Sequence, residues 1–477
     1  MSDSREQDRR QALEALRSSL EPQVWIEGER QAPFLKEWRG RYQGRAAAVL
    51  CPGSTGEVAL ILRHCHDASI TVVPQSGNTG LVGGGAPDTS GTQVILSLRR
   101  MNRIRDIDAD NGTLTAEAGC VLADLQAAAQ RIDRLFPLSL ASEGSCQIGG
   151  NLATNAGGTN VLRYGNARDL TLGLEVVLAD GRIWDGLRSL RKDNSGFDLR
   201  NLFIGSEGTL GVITAAVLKL FPRPATTITA LLGVETPTQA VQLLGQLRQA
   251  SGDALTGCEL MSRASLEMSL HHVPGCRDPF DSAHAWYLLV EASSSGTGTA
   301  LREALELALG EALEANAVSD AVFADSMAQA AALWRLRESI PEGQVRYGAS
   351  IKHDISVPVS RIPEFLAQAQ AALEALIPGL RICAFGHIGD GNLHFNLSQP
   401  ADCGRDAFLA RETECNRLVF DLVDALGGSI AAEHGVGQLR LDALDRYKSD
   451  VELDLMRSIK QALDPRGILN PGKVVKG

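Results

Sequence analysis

The stretch RICAFGHIGDGNLHFNL, residues 381–397, decides how the rest of the chain is read. Two short apolar runs flank Gly389-Asp390-Gly391-Asn392. Asp-Gly at the centre of a two-residue turn signals a β-hairpin, because both turn positions need positive φ. With Asp390 and Gly391 as that turn, His387 faces His394, and opposed residues on a hairpin hold their Cβ atoms about 4.5–5.5 Å apart. Two imidazoles could then converge on one ion without backbone strain, and Asn396 shares the face of His394. Downstream, Ala432-Glu433-His434-Gly435-Val436-Gly437 sets a carboxylate beside a third imidazole. Two His and one carboxylate with a coordination position left open is the pattern of a catalytic metal centre, whereas a structural zinc site is usually closed and Cys-rich. A lone His in a long chain is more often a packed or surface residue than a ligand. Here the turn signal, the pairing across it and the Glu-His dipeptide concur.

Working outward, 477 residues suffice for two or three domains, and the composition, 44% hydrophobic and 22% charged, is that of a soluble globular protein. A formal charge of −11 with no basic block argues against a nucleic-acid partner. An anionic substrate therefore needs a local basic pocket. No window approaches the roughly 18–20 consecutive apolar residues of a membrane span. The N-terminal MSDSREQDRRQALEALRSSLEP mixes acids with arginines and reads as a short amphipathic helix, unlike a secretory signal or an acid-poor transit peptide. Nine scattered cysteines, none in a C-x-x-C pair, point to reduced thiols in the cytoplasm and away from Fe–S clusters.

Along the chain, residues 46–52 read as an edge strand ending at Pro52, followed by a helix opening at Gly56-Glu57 with Val58, Ile61, Leu62 and Cys65 on its apolar face. The strand 70–74 feeds into QSGNTGLVGGG, residues 75–85, whose five glycines permit close backbone approach to an anion. It is neither a Walker loop nor a Rossmann G-x-G-x-x-G. A second Gly-rich run spans 142–169, and a third, NLFIGSEGTLGVIT, begins at Asn201. Turns alone produce Gly-rich loops, but two such loops after β-type sequence within one region exceed what turns require. Pro222 and Pro224 mark a boundary. From there to about residue 380, strand-like runs (227–234, 285–291, 353–357) alternate with amphipathic helices (238–250, 300–313, 327–340, 362–376), as in an open α/β sheet with helices on one face.

These motifs, with the terminal LNPGK, resemble the FAD-linked D-2-hydroxyacid dehydrogenases. The resemblance covers residues 40–477. It implies an α+β architecture: a two-subdomain FAD-binding fold of the vanillyl-alcohol-oxidase type with an α/β substrate cap domain. The expected parts are an N-terminal helical segment (1–39), an FAD-binding domain (40–222), a substrate cap (223–430) and a C-terminal segment (431–477) completing the FAD domain. Family pattern puts the FAD pyrophosphate on Pro74, Gln75, Ser76, Gly77, Asn78, Thr79, Gly80 and Leu81. It runs the flavin along Glu143, Gly144, Ser145, Ile148, Gly149, Gly150, Asn151, Thr154, Asn155, Gly157, Gly158, Arg163, Tyr164 and Gly165. Glu207, Gly208, Gly211, Val212 and Ile213 follow, with Asn470 near the isoalloxazine. Thr79 stands where covalent relatives carry a His, so the flavin is expected to be dissociable.

The resemblance also makes His387, His394 and Glu433 ligands of zinc or manganese and His434 the base. Arg337 and Lys352 match the family's carboxylate-binding cations, with Asn396 and His434 also on the substrate. An arginine grips a carboxylate with two parallel hydrogen bonds, and a second cation favours a dicarboxylate such as D-2-hydroxyglutarate. Some relatives place a Thr four residues after that arginine; this chain has Pro341, so D-lactate, D-malate and glycolate stay open as substrates. An external acceptor such as an electron-transfer flavoprotein or a quinone is expected to reoxidise the flavin, and a homodimer is admitted. Two rival classes are a metallohydrolase using the His-His-Glu site and a flavin-binding electron-transfer or scaffold module with no substrate of its own.

Overall fold

In the computed structural model, which describes residues 2–476, the strands Arg381–His387 and Asn392–Ser398 pair antiparallel. The turn between them is longer than expected: residues 388–391 form it, and of the two predicted positions only Gly391 takes a positive φ, 86°. The His387 carbonyl accepts from the N–H groups of Asp390 (3.3 Å) and Gly391 (3.1 Å), and the Asn392 N–H donates to Asp390 Oδ1 (3.0 Å). Phe385, rather than His387, therefore lies opposite His394. The slip is two residues, a whole side-chain period, so the two imidazoles keep their common face as diagonal neighbours. Their ring centroids are 5.9 Å apart.

This hairpin belongs to a seven-stranded antiparallel sheet in the order 320–323, 226–234, 286–294, 255–262, 381–387, 392–398, 350–356. The strand Leu255–Ser262, unforeseen from sequence, is buried at every position, so both sheet faces need cover. Helices accordingly pack on both faces, not one. Leu266, Leu333, Leu336 and Ile340 cluster with Met261, Tyr287, Leu289 and Phe385 on one face. Phe365 of the helix Ile362–Leu376 stacks edge-on against Phe395, whose side chain points the other way. The expected helix 327–340 is two, Met327–Glu338 and Ile340–Tyr347, because Pro341 fits the first turn of a new helix but not the interior of an old one.

The chain divides into two compact units. The second holds this sheet and comprises residues 159–164 and 224–432; the first comprises 1–158, 165–223 and 433–477. In the first unit, a four-stranded sheet runs in the order 25–26, 48–50, 94–97, 72–75. Residues 48–50 are therefore interior and not at the edge, because Trp25–Ile26 pairs outside them. The helix Thr55–Asp67 starts where Ser54 Oγ accepts the Glu57 N–H at 3.2 Å. It buries Val58, Ile61, Leu62 and Cys65 in a core with Val72, Leu96, Ile468 and Leu469. A five-stranded antiparallel sheet, 104–108, 113–117, 212–219, 171–177, 183–186, completes the unit. Among the described residues no helix is long and apolar enough to cross a membrane.

Gly391 is the turn residue most exposed to substitution, since a Cβ there would lie 2.1 Å from the Val357 carbonyl oxygen. Gly391→Ala is expected to cost about 2 kcal/mol and lower the thermal midpoint by roughly 4–8 °C. Gly404→Ala, where a Cβ meets nothing within 4 Å, serves as the unaffected control. Equal midpoints in calorimetry would refute the strain assigned to the turn.

Candidate active site

The first unit contains a cavity with about 990 Å³ of empty space, part of it open to solvent, lined by all three Gly-rich runs. The first run leaves the strand Val72–Gln75, and the Gln75 amide donates to the Phe34 and Gly85 carbonyls, folding the loop back on itself. Gly77 is required where this loop meets the second run: a Cβ would sit 2.6 Å from the Ser145 carbonyl oxygen. Across that contact the Gly150 N–H donates to Ser76 Oγ at 3.1 Å. The third run contributes Glu207 and Gly208, both at positive φ, with Gly208 against Pro74.

Glu207 ties the C-terminal segment to this cavity. Its carboxylate accepts the N–H groups of Val436 (2.7 Å) and Gly437 (2.9 Å), and burial pushes its pKa up despite those bonds. Asn470 Nδ2 donates to the Gly84 and Glu207 carbonyls, bridging the first and third runs. The result sets His434 on the cavity wall, with its Nε2 3.6 Å from a Glu433 carboxylate oxygen; the other Glu433 oxygen accepts the Gly158 N–H at 3.2 Å. Burial pushes the Lys473 ammonium down to about 8 against the opposing pull of Asp88 and Glu207.

Of the residues expected on the cofactor, Pro74 through Gly80, Gly149, Gly150, Asn151, Thr154, Glu207, Gly208, Gly211, Val212 and Ile213 line the cavity. Leu81, Glu143, Gly144, Ser145, Ile148, Asn155, Gly157, Gly158, Gly165 and Asn470 do not line it. Several of these support the loops instead: Glu143 accepts from Gln126, and Asn155 Oδ1 accepts the Arg168 N–H. Arg163 and Tyr164 fall in the second unit, where Arg163 donates to the Ser293 carbonyl and hydroxyl. Val82, Gly84 and Gly85 of the glycine-rich loop 75–85 line it too, while Glu37, Leu98 and Gln147 line it without having been singled out. The cavity fits a bound dinucleotide. The buried Asn151 Oδ1 on its wall has no hydrogen-bond partner among the described residues, and buried polar atoms are rarely left so.

In the second unit the sheet register collects the remaining residues on one face. Glu259 stands opposite His387, Asp354 opposite His394, and Lys352 opposite Asn396. The His387 Nδ1–H donates to Glu259 Oε1 at 2.5 Å, and Arg337 Nε donates to Glu259 Oε2 at 2.7 Å. Burial alone would raise the Glu259 pKa, but these two partners outweigh it and hold the carboxyl down to about 2. The Arg337 guanidinium lies 4.7 Å over the Phe385 ring. Asn392 Nδ2 donates to Asp354 Oδ1 at 3.0 Å. Asn396 is buried and engaged at both ends, donating to Gln344 Oε1 (2.9 Å) and accepting the His353 N–H (3.3 Å). His394 and Asp354 bring ligand atoms within 4.8 Å of each other, a donor pair that suits a divalent ion, and on the neighbouring His387 the bond at Nδ1 makes Nε2 the ligand atom. Glu259 and Asp354 escaped the sequence reading. The signal for Glu259 was a lone acid in the otherwise uncharged strand LTGCELMS.

Comparison with known proteins supplies the family. Residues 46–186 match an FAD binding domain, and residues 223–474 match the C-terminal domain of FAD linked oxidases. The chain is 40% identical over 441 residues to a probable mitochondrial D-2-hydroxyglutarate dehydrogenase of Oryza sativa subsp. indica, covering 92% of this chain and 77% of that one. It is 38% identical over 475 residues to a D-2-hydroxyglutarate dehydrogenase of Xanthomonas citri pv. viticola, covering 99% and 97%. The structure of p-cresol methylhydroxylase with substrate bound superposes with a TM-score of 0.75 at 18% identity over 98% of this chain and 96% of that one, a likeness of fold alone. A flavin domain leaves the metallohydrolase reading without support. With its loops lining a cavity suited to the dinucleotide, the chain belongs to the FAD-linked oxidases, has the α+β fold of the vanillyl-alcohol-oxidase type, and is an FAD-dependent dehydrogenase.

Proposed function

We propose that the chain oxidises a D-2-hydroxy acid to the 2-oxo acid, D-2-hydroxyglutarate being the substrate, with the help of a divalent ion, zinc or manganese. The observation that carries this reading is His434 on the wall of the cavity, in a chain whose relatives are named D-2-hydroxyglutarate dehydrogenases. FAD, when bound, supplies the hydride acceptor, and a divalent ion would polarise the hydroxyl and orient the acid. His434 takes the hydroxyl proton on its imidazole. His387, His394 and Glu433 would hold the ion. Glu433 is the first residue after Ala432, whose N–H donates to the Asp354 carbonyl at 3.3 Å, and Asp354 is the strand partner of His394. Arg337 recognises the carboxylate through the guanidinium N–H groups outside its bond to Glu259, and Lys352, beside Asn396 in the register, takes the distal carboxylate. Thr79 on the cavity wall supports a dissociable flavin. Nine free thiols support a reducing, cytoplasmic setting, and an external electron acceptor such as an electron-transfer flavoprotein or a quinone closes the cycle.

Pro341 favours a second substrate reading, because the first turn of the Ile340–Tyr347 helix offers no hydroxyl to the acid. D-Lactate, D-malate and glycolate therefore belong in the test.

An anaerobic panel of D- and L-2-hydroxy acids, followed by loss of visible flavin absorbance, is expected to show fastest bleaching with D-2-hydroxyglutarate. Chelation should suppress it and zinc or manganese restore it; no bleaching with any D-acid overturns the reading. His434→Ala should keep FAD bound while flavin reduction slows by about 10²–10⁴-fold. Reduction near the parent rate removes the base assignment. Lys352→Ala should lower kcat/KM for D-2-hydroxyglutarate by about 10–100-fold, the worth of one charge-assisted hydrogen bond, and leave D-lactate far less affected. Equal losses on the two acids dispose of the dicarboxylate argument.

A further inference from the structure

We infer that Glu259 is a positioning residue of the active site, its two carboxylate oxygens holding the substrate-binding arginine and one metal-binding imidazole as a single buried assembly. The inference rests on the roles proposed above for Arg337 and His387. Glu259 is fully buried at the centre of the strand Leu255–Ser262, where every neighbour along the strand is uncharged. Stability alone does not call for an acid there. Desolvating an ion pair costs several kcal/mol per charge, and well-packed apolar residues of similar volume commonly serve as well or better.

The geometry gives the acid two tasks. Register places it opposite His387, and Oε1 receives the Nδ1–H of that ring at 2.5 Å. A carboxylate only accepts, so this bond fixes the tautomer with its proton on Nδ1 and turns the Nε2 lone pair outward as the ligand atom. Oε2 receives Arg337 Nε at 2.7 Å, while Phe385 lies under the guanidinium plane at 4.7 Å. With Nε bonded and the plane stacked, the fork retains little freedom, and its Nη groups are presented to a carboxylate in a set orientation. One carboxylate thus sets the geometry of both, so metal affinity and acid recognition should weaken together when it is altered.

The test uses FAD-loaded protein and measures zinc or manganese affinity by competition with a chromophoric chelator, alongside kcat and KM for D-2-hydroxyglutarate. In Glu259→Gln, metal affinity should fall about 10–100-fold. KM should rise while kcat recovers at saturating metal and acid, with flavin content unchanged. Glu259→Asp keeps the charge one methylene short and should recover part of both losses. Metal affinity and KM within about twofold of the parent, the usual scatter of such comparisons, would show a merely structural ion pair and overturn the inference. Should Glu259→Gln fail to accumulate as flavoprotein, Glu259→Asp carries the same two measurements, and values unchanged there overturn it equally. A parent protein that takes up no divalent ion removes the metal reading itself, and with it this inference; that failure appears in the parent before any variant is made.

Discussion

Alternation along an antiparallel strand is the constraint on which the second unit's chemistry depends. Side chains two residues apart share a face, so any change of turn length by an even number keeps a set of residues together. The turn after His387 differs from the expected one by such a step, and the imidazoles of His387 and His394 still meet at 5.9 Å. Carried across neighbouring strands, the same rule adds Lys352 and Asp354 on one side and Glu259 on the other. Five chemically active side chains are thereby mounted on four rigid strands, which hold geometry more tightly than loops do.

The first unit solves a different problem. Its cavity walls are loops, and loops need anchors before they can define a surface. Buried polar side chains provide them: Gln75 closes the first loop, Asn470 bridges the first and third, and Glu207 receives two backbone N–H groups from the C-terminal segment. Each is a case of a buried polar group placed where backbone groups would otherwise lack partners. Glycine supplies the close approach, as at Gly77 against the Ser145 carbonyl.

Much of this was legible in the chain itself, because short-range chemistry dictated it. The Asp-Gly turn announced the hairpin, the Val58, Ile61, Leu62 and Cys65 spacing announced a helix that buries those four, and the glycine runs announced a cavity. What escaped depended on distant pairing. The strand around Glu259 lacks alternation because it is buried on both faces, so no period marked it. The two-sided packing of helices followed from that same strand. The short helix Val161–Tyr164, inside the second glycine-rich run, belongs with the second unit, which nothing local in the sequence encodes.

The return of the last residues to the first unit also bears on how the protein is made. Val72 donates to the Ile468 carbonyl at 2.8 Å, and Asn470 clasps two of the three glycine runs. A ribosome that has finished residue 223 has produced the glycine runs without their clasp, and residues 224–432 emerge before it does. A cavity that depends on this clasp is therefore complete only once residues 433–477 have followed the intervening sheet out of the ribosome.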